Sequence, residues 1–348
     1  MKVLLIGEYS GVHNNLKDGL LKKGIEVKLL ADGDGYKEFK YDEIITPYNG
    51  GVIQKIRNLI YIIKKIKMIH KYDIVQIINP FIFPLHYFYS GIVFLIFLKA
   101  KKIIYYACGT DPIFLASESQ FSYFPFDKNN PKNYRTYNLY HNIYFKYFIS
   151  KISIVIASNY SYEQGWKVNK KYKNIIPLPA SIIKYKINKY DKNYKIKILF
   201  GITRRETKGA SFILKALELI NRNQSSKVKI EIVENLNYEA FFEKLSNCDL
   251  LIDQCRSYDY GMSAITALQM GVITMSGAES IAINSLNDGK CPVINIKPSV
   301  KDIYRKILVI LNMSEEQINE LKESSQYWAY KIHRNSFITE KFISIYEN

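Results

Sequence analysis

The stretch GITRRETKGASFILKAL, residues 201–217, decides how the chain is read. The apolar run 196–201 before it reads as a buried strand, and 211–221 after it repeats with a helical period. Between them a loop presents Arg204, Arg205 and Lys208, and Gly209 opens the helix. Gly201 closes the strand. Two guanidiniums and an ammonium at a strand's carboxyl end, beside a helix N-terminus, form a site for a dianionic group such as a diphosphate. The plain alternative is a basic surface loop.

Working outward, strand and helix alternate in both directions. Residues 2–6 and 26–30 read as strands around a helix at 14–23 that Gly24 ends, a βαβ unit with Ser10 and Gly11 in its crossover loop. A basic amphipathic helix at 53–70, strands at 74–78, 102–106 and 152–157, and a helix in SNYSYEQGW (158–166) follow. The polar run KYKINKYDKNYK (184–195) reads as a linker. Beyond it, strands at 196–201, 228–233, 250–253, 272–276 and 291–296 alternate with helices at 211–221, 238–248 and 262–270. Helices from residue 299 close the chain. Two successive open α/β sheets are predicted, with a ligand crevice at the carboxyl ends of their strands and therefore between them.

Composition agrees with two globular domains: 348 residues, 48% apolar and 23% charged. The 49 basic against 32 acidic residues, a net charge of +17, point to a polyanionic partner: nucleic acid, an anionic membrane surface or phosphorylated substrates. Lysines that merely solvate the surface are the alternative. The basic residues are spread over the chain rather than gathered in a nucleic-acid module, so no nucleic-acid partner is expected. Four cysteines without CxxC spacing read as reduced thiols and predict a cytoplasmic protein. The N-terminus reads as a first strand rather than a signal peptide. Residues 81–102 are nearly long enough to span a bilayer, but Pro84, His86 and Ser90 interrupt them, and a buried crossover helix is the expectation. Residues 117–150 read as an insertion ending in a helix whose Tyr, Phe and Lys side chains face either a membrane or the core.

Several chemistries are excluded by missing motifs. GEYSG after the first strand is not GxGxxG, no GxxxxGK[ST] or GxSxG occurs, and the five histidines are scattered, so no metal site is predicted. One further stretch stands out. YDYGMSAITALQMGV, residues 258–272, reads as a glycine turn opening a short apolar helix, an N-terminus ready for phosphate with no acid on the helix.

Taken in order, these segments resemble the GT-B glycosyltransferases, in particular the large retaining family 4 type. GEYSGVHNNL is similar to that family's glycine loop and first helix, with Ser10, Gly11 and His13 on the acceptor or sugar side. YACGTDPI (106–113) resembles its HGxD-type segment, with Gly109 and Asp111 at the matching places and Cys108 where a histidine is usual. ITRRETKG supplies the Arg/Lys pair that binds the donor diphosphate, CRSYDYGMSAITALQMG the donor-binding glycine turn and helix, and MSGAES (275–280) the loop after the next strand. The resemblance covers nearly the whole chain.

The resemblance implies two Rossmann-like domains with parallel sheets facing across a cleft: an acceptor domain at 1–185, a donor domain at 196–322, and C-terminal helices at 323–348 that return to the first domain. It implies transfer of a sugar from a nucleotide sugar to an acceptor hydroxyl on a glycan or lipid-linked acceptor, with retention, in bacterial surface glycan synthesis. The basic, aromatic first domain suits work at the inner membrane face. No metal and no cofactor are implied. Arg204, Lys208 and Asp111 would be catalytic. Gly201, Arg205, Gly209, Tyr258, Gly261, Met262, Ser263, Thr266 and Glu279 would bind the donor. The family's two glutamates, eight apart, fall here on Tyr258 and Thr266, with Asp259 and Glu279 the nearby acids. That departure leaves two alternatives open, a sugar-nucleotide epimerase and a nucleotide-sugar binder with weakened catalysis.

Overall fold

The structure, a computed structural model, describes residues 1–44, 51–69, 71–81, 92, 95–96, 100–126, 139–183, 185–286 and 290–348. In chain order the first unit contains β1 (Lys2–Ile6), α1 (Val12–Lys22), β2 (Glu26–Ala31), β3 (Glu43–Ile44), α2 (Val52–Ile69), β4 (Ile74–Ile77) and β5 (Lys102–Ala107). α3 (Pro112–Ala116), α4 (Leu139–Lys151), β6 (Ile154–Ala157), α5 (Tyr160–Trp166) and β7 (Tyr172–Ile175) complete it. Its seven strands pair in parallel in the order β3-β2-β1-β4-β5-β6-β7. The order reverses between β1 and β4, and a doubly wound sheet opens its crevice at such a switch point.

The second unit runs β8 (Ile196–Ile202), α6 (Arg205–Lys208), α7 (Ala210–Gln224), β9 (Val228–Glu234), α8 (Tyr238–Ser246), β10 (Leu250–Ile252), α9 (Met262–Gln269), β11 (Ile273–Ser276), α10 (Ser280–Asn284) and β12 (Ile294–Asn295). Its five strands, also parallel, take the order β12-β11-β10-β8-β9, which reverses between β8 and β10. Parallel strands covered on both faces need apolar side chains throughout, which is why Val3, Leu5, Ile198, Phe200 and Leu250 are all buried. Burying each such side chain stabilises the fold by roughly 1.5–3 kcal/mol.

Three helices follow: α11 (Val300–Leu311), α12 (Glu315–His333) and α13 (Asn335–Glu347). A capping box at Ser314 and Gln317 starts α12, which packs on α9. α13 crosses to the first unit and packs on α1. The contact is close: a methyl group built on Gly19 of α1 would stand 2.0 Å from Thr339 Oγ1 and 2.5 Å from Asn335 Oδ1 of α13.

Four local readings change. β3 is two residues long and β7 carries lysine and asparagine, so neither leaves a strand-like pattern in the sequence. The strand expected at 291–296 shrinks to Ile294–Asn295, since Pro292 brings no N–H to a ladder. Of the two faces expected for α4, Tyr144, Phe145 and Phe148 take the core, where they are buried. Most of the apolar stretch 81–102, residues 127–138 of the predicted insertion and Lys184 of the linker lie outside the described residues. Residues 185–195 are irregular and tied to the second unit, with Tyr185 donating to the Ser246 carbonyl and Tyr190 N–H to Asn319 Oδ1.

Candidate functional site

The loops after β1 and β5 and the loop after β8 line one cleft together with the turn before α9. It encloses about 1620 Å³, solvent at its mouth included, and Tyr9, Ser10, Gly109, Arg204, Asp259 and Gly261 are among its walls. A second pocket of about 560 Å³, open solvent included, lies beside it, walled by Gly201, Tyr238, Phe241, Ser263 and Thr266. Ser10, Lys37, Thr203 and Met262 belong to both walls, so the two spaces adjoin. Both lie outside the carboxyl ends of parallel strands, where open α/β sheets bind ligands.

The loop after β8 separates its three cations. Arg204, at the N-cap of the short helix α6, is exposed and lines the cleft. Lys208 is buried under the loop: its Nζ donates to the Gly201 carbonyl at 2.9 Å and to Asp253 Oδ1 at 2.9 Å, while Asp253 Oδ2 accepts from Ser276. Its charge is therefore balanced within the fold, although its side chain still forms part of the pocket wall. Arg205, expected at the donor, is instead ion-paired with Glu234 at the end of β9, because the turn of α6 points it at the sheet edge. Gly209 takes the left-handed conformation (φ 74°), and a methyl there would stand 2.4 Å from Cys255 Sγ. Gly201 is equally tight, since a methyl would meet Phe241 at 2.7 Å.

The turn before α9 behaves as the sequence leads one to expect at its helix end only. Gly261, with no side-chain cap, leaves the first N–H groups of α9 facing the cleft, and Met262, Ser263 and Thr266 wall the pocket. Thr266 spends its hydroxyl on the Met262 carbonyl one turn back, at 3.0 Å. Tyr258 and Glu279 are displaced from the donor side. Tyr258 docks on Phe121 and Tyr123 of the first unit, with ring centroids 5.0 and 4.8 Å away, and its hydroxyl accepts from the Ser122 N–H. Glu279 accepts from Tyr123 and Asn295 and pairs with Lys297. Burial acts to raise its pKa, but those three partners outweigh it and hold the carboxylate below its usual range.

Two residues expected on the first-domain side of the cleft belong to the core. Asp111 caps α3, accepting from the Phe114 N–H at 2.8 Å, and its other oxygen accepts from Tyr105 at 2.7 Å and Trp166 at 3.0 Å. It is fully buried, with its pKa raised by that burial, and is not among the residues that wall the cleft, so it does not present its carboxylate to a sugar there. His13 is also fully buried: Nδ1–H donates to the Gly7 carbonyl at 2.7 Å and Nε2 accepts from Gln76 at 3.2 Å. Burial pushes its pKa down to about 4, so the ring is neutral. Gln76 in turn accepts from Tyr346 of α13, which makes this chain of bonds a strut for the C-terminal helix. Ser10, left-handed at φ 53°, and Gly109 do line the cleft, and Gly11 starts α1 beside them at φ 84°. Gly109 has no room for a side chain, as a methyl would lie 2.7 Å from both Asn79 and Tyr9.

The two units are clamped at the side of the cleft by Asp259. Its carboxylate accepts from the Tyr160 N–H at 3.2 Å and the Ser161 N–H at 3.0 Å, and from the Ser161 hydroxyl. A carboxylate at the N-terminus of α5 satisfies its orphan donors, alongside Asn159, which caps Tyr162. Asp259 thus joins the units and does not replace the missing glutamates.

No family model and no curated protein sequence matches the chain. Its structure, however, is similar over nearly its whole length to solved proteins. One is HepE of Anabaena in complex with UDP and glucose, 13% identical, covering 99% of each chain with a TM-score of 0.65. Another is sucrose-phosphate synthase of Thermosynechococcus elongatus, 11% identical, covering 100% of this chain and 98% of that one, TM-score 0.67. A third is the lipopolysaccharide outer core galactosyltransferase WaaB, 13% identical, covering 98% of each, TM-score 0.53.

The chain has the GT-B glycosyltransferase fold.

On this GT-B frame the sequence pattern leaves two segments of the site unmarked. Residues 34–39 come over the cleft from the first unit, where Lys37 Nζ binds Ser10 Oγ at 2.8 Å and Asp34 at 2.5 Å. Residues 235–241 wall the pocket from the second: Asn237 caps α8 through the Ala240 N–H, and Tyr238 lies 5.1 Å from Phe39 across the opening. The second segment was available from topology, since it follows the carboxyl end of strand β9 as the basic loop follows β8. The first carries no motif, and three left-handed residues (Asp34, Gly35 and Glu38) shape it.

Proposed function

We propose that the protein transfers a sugar from a nucleotide-sugar donor to an acceptor hydroxyl. The observation that carries this is the pairing of the two spaces: a cleft between two switch points, edged by Arg204 and the open N-terminus of α9, adjoining a pocket walled by Tyr238 and Phe241. The nucleoside occupies the pocket, its base against those rings, and the diphosphate lies at the junction by Ser10, Thr203 and Met262. Arg204 and the α9 N–H groups stabilise the negative charge that grows on the diphosphate as its bond to the anomeric carbon breaks. The acceptor oxygen bonds that carbon and its proton passes to the departing phosphate oxygen, so retention needs no carboxylate at Tyr258. Lys208 acts through position, holding the loop that aims Arg204. The reaction needs no metal or cofactor.

The acceptor is a glycan or lipid-linked oligosaccharide of a bacterial surface polymer, and the protein works on it at the inner membrane face. Support for this comes from the basic composition, +17 overall, and from the likeness in fold to WaaB, a galactosyltransferase of the lipopolysaccharide outer core.

A second reading, donor binding without transfer, is favoured by one observation: among the described residues no carboxylate walls the 560 Å³ pocket. A panel of nucleotide sugars in a thermal-shift assay tests both. A donor at a hundred times its Kd stabilises the fold by about 2.7 kcal/mol, and no stabilisation by any of them contradicts both. Stabilisation with release of nucleoside diphosphate only when an acceptor is present supports transfer.

A further inference from the structure

Helix α2 carries an apolar stripe on its exposed side. Asn58 is fully buried and Gln54 turns its Oε1 away from solvent, whereas Val52, Ile53, Ile56, Ile60 and Ile63 stand 45–70% exposed. The last four, spaced three, four and three apart, form one continuous outward stripe. An ordinary surface helix turns such a stripe toward the core. The helix also carries Lys55, Arg57, Lys64, Lys65 and Lys67 and no Asp or Glu. Arg57 and Lys64 are exposed and follow Ile56 and Ile63 by one position, at the edge of the stripe.

We infer that the outward face of α2 seats the protein on an anionic bilayer, with the isoleucine stripe in the headgroup boundary and Arg57 and Lys64 on lipid phosphates. Charge selects this occupant: a second copy of the chain would bring two wholly basic helices face to face, while an anionic surface neutralises them. At 18 residues α2 is about 27 Å long, and no described helix is long and apolar enough to cross a membrane, so it lies in the plane of the interface. This inference rests on the membrane-face part of the proposed function and names its surface. It does not depend on sugar transfer, and its test uses no donor.

The test is flotation of the full chain with phosphatidylcholine vesicles, with and without 30% phosphatidylglycerol. The chain should float with the anionic vesicles and not with the neutral ones, and 0.5 M salt should release it. I53S/I56S/I60S should bind at least ten-fold more weakly with an unchanged melting temperature, and R57Q/K64Q should lose the preference for anionic lipid. Equal flotation of the triple variant, no flotation of the parent chain, or a solution dimer that the triple variant abolishes without any lipid binding would each overturn the assignment.

Discussion

Lys208 Nζ stands 2.9 Å from Asp253 Oδ1, and both side chains are almost completely buried. The pair lies beneath the loop that carries Arg204 and holds it to the end of β8 through the Gly201 carbonyl. A buried pair is weak evidence for net stability, but breaking one is costly because the remaining charge is stranded. Lys208→Met should therefore destabilise the protein by about 3–5 kcal/mol. The double variant Lys208→Met/Asp253→Asn should recover at least half of that, read as the midpoint of urea unfolding. A single variant as stable as the parent contradicts the assignment.

Acid should expose opposing titrations. His13 and His333 have folded pKa values pushed down to about 4 by burial, so the stability they contribute is present above pH 6.5 and lost as pH falls toward 4. Asp259 is pushed up to about 6 by burial, so its contribution is present below its ordinary value of 3.8 and lost as pH rises through 6. Between pH 6 and 4 the aspartate offsets one histidine. Asp259→Asn removes that offset, and its stability should fall more steeply on acidification, by about 1.4 kcal/mol per pH unit. Parallel stability–pH curves for variant and parent would refute the assignment.

The α1–α13 contact depends on Gly19 having no side chain. Gly19→Ala would gain helix propensity on its own but must displace Thr339 and Asn335. A net loss of about 1–3 kcal/mol is expected. Thr339→Ala should relieve part of it, and a stabilised Gly19→Ala variant would show the contact to be looser.

Tyr238 walls the pocket opposite Phe39. If a base rests against it, Tyr238→Ala should weaken donor binding by about ten-fold, within the range of one lost base-aromatic contact. The check is the Kd by calorimetry, and an unchanged Kd removes the base from this wall.

The sequence reveals the frame more fully than the site. Long apolar strands and period-3.6 helices are local signals, and the basic loop after β8 and the glycine turn before α9 are placed by topology once the strands are known. What local pattern does not reveal is the direction of each polar side chain. Asp111 and His13 sit in motif positions, yet one caps α3 and the other props α13 through Gln76, because partners 55 to 63 residues away in sequence hold them. Lys208 likewise turns inward on account of Asp253, 45 residues on. Segment 34–39, built from left-handed turns, leaves no periodic trace at all.

The most direct test of sugar transfer is turnover of a stabilising nucleotide sugar by the parent chain and by Arg204→Ala. With acceptor supplied, the parent should release nucleoside diphosphate. Arg204→Ala should lower kcat by about a hundred- to a thousand-fold, with KM changed far less and the melting temperature unchanged. Equal kcat in the two proteins would contradict the central claim.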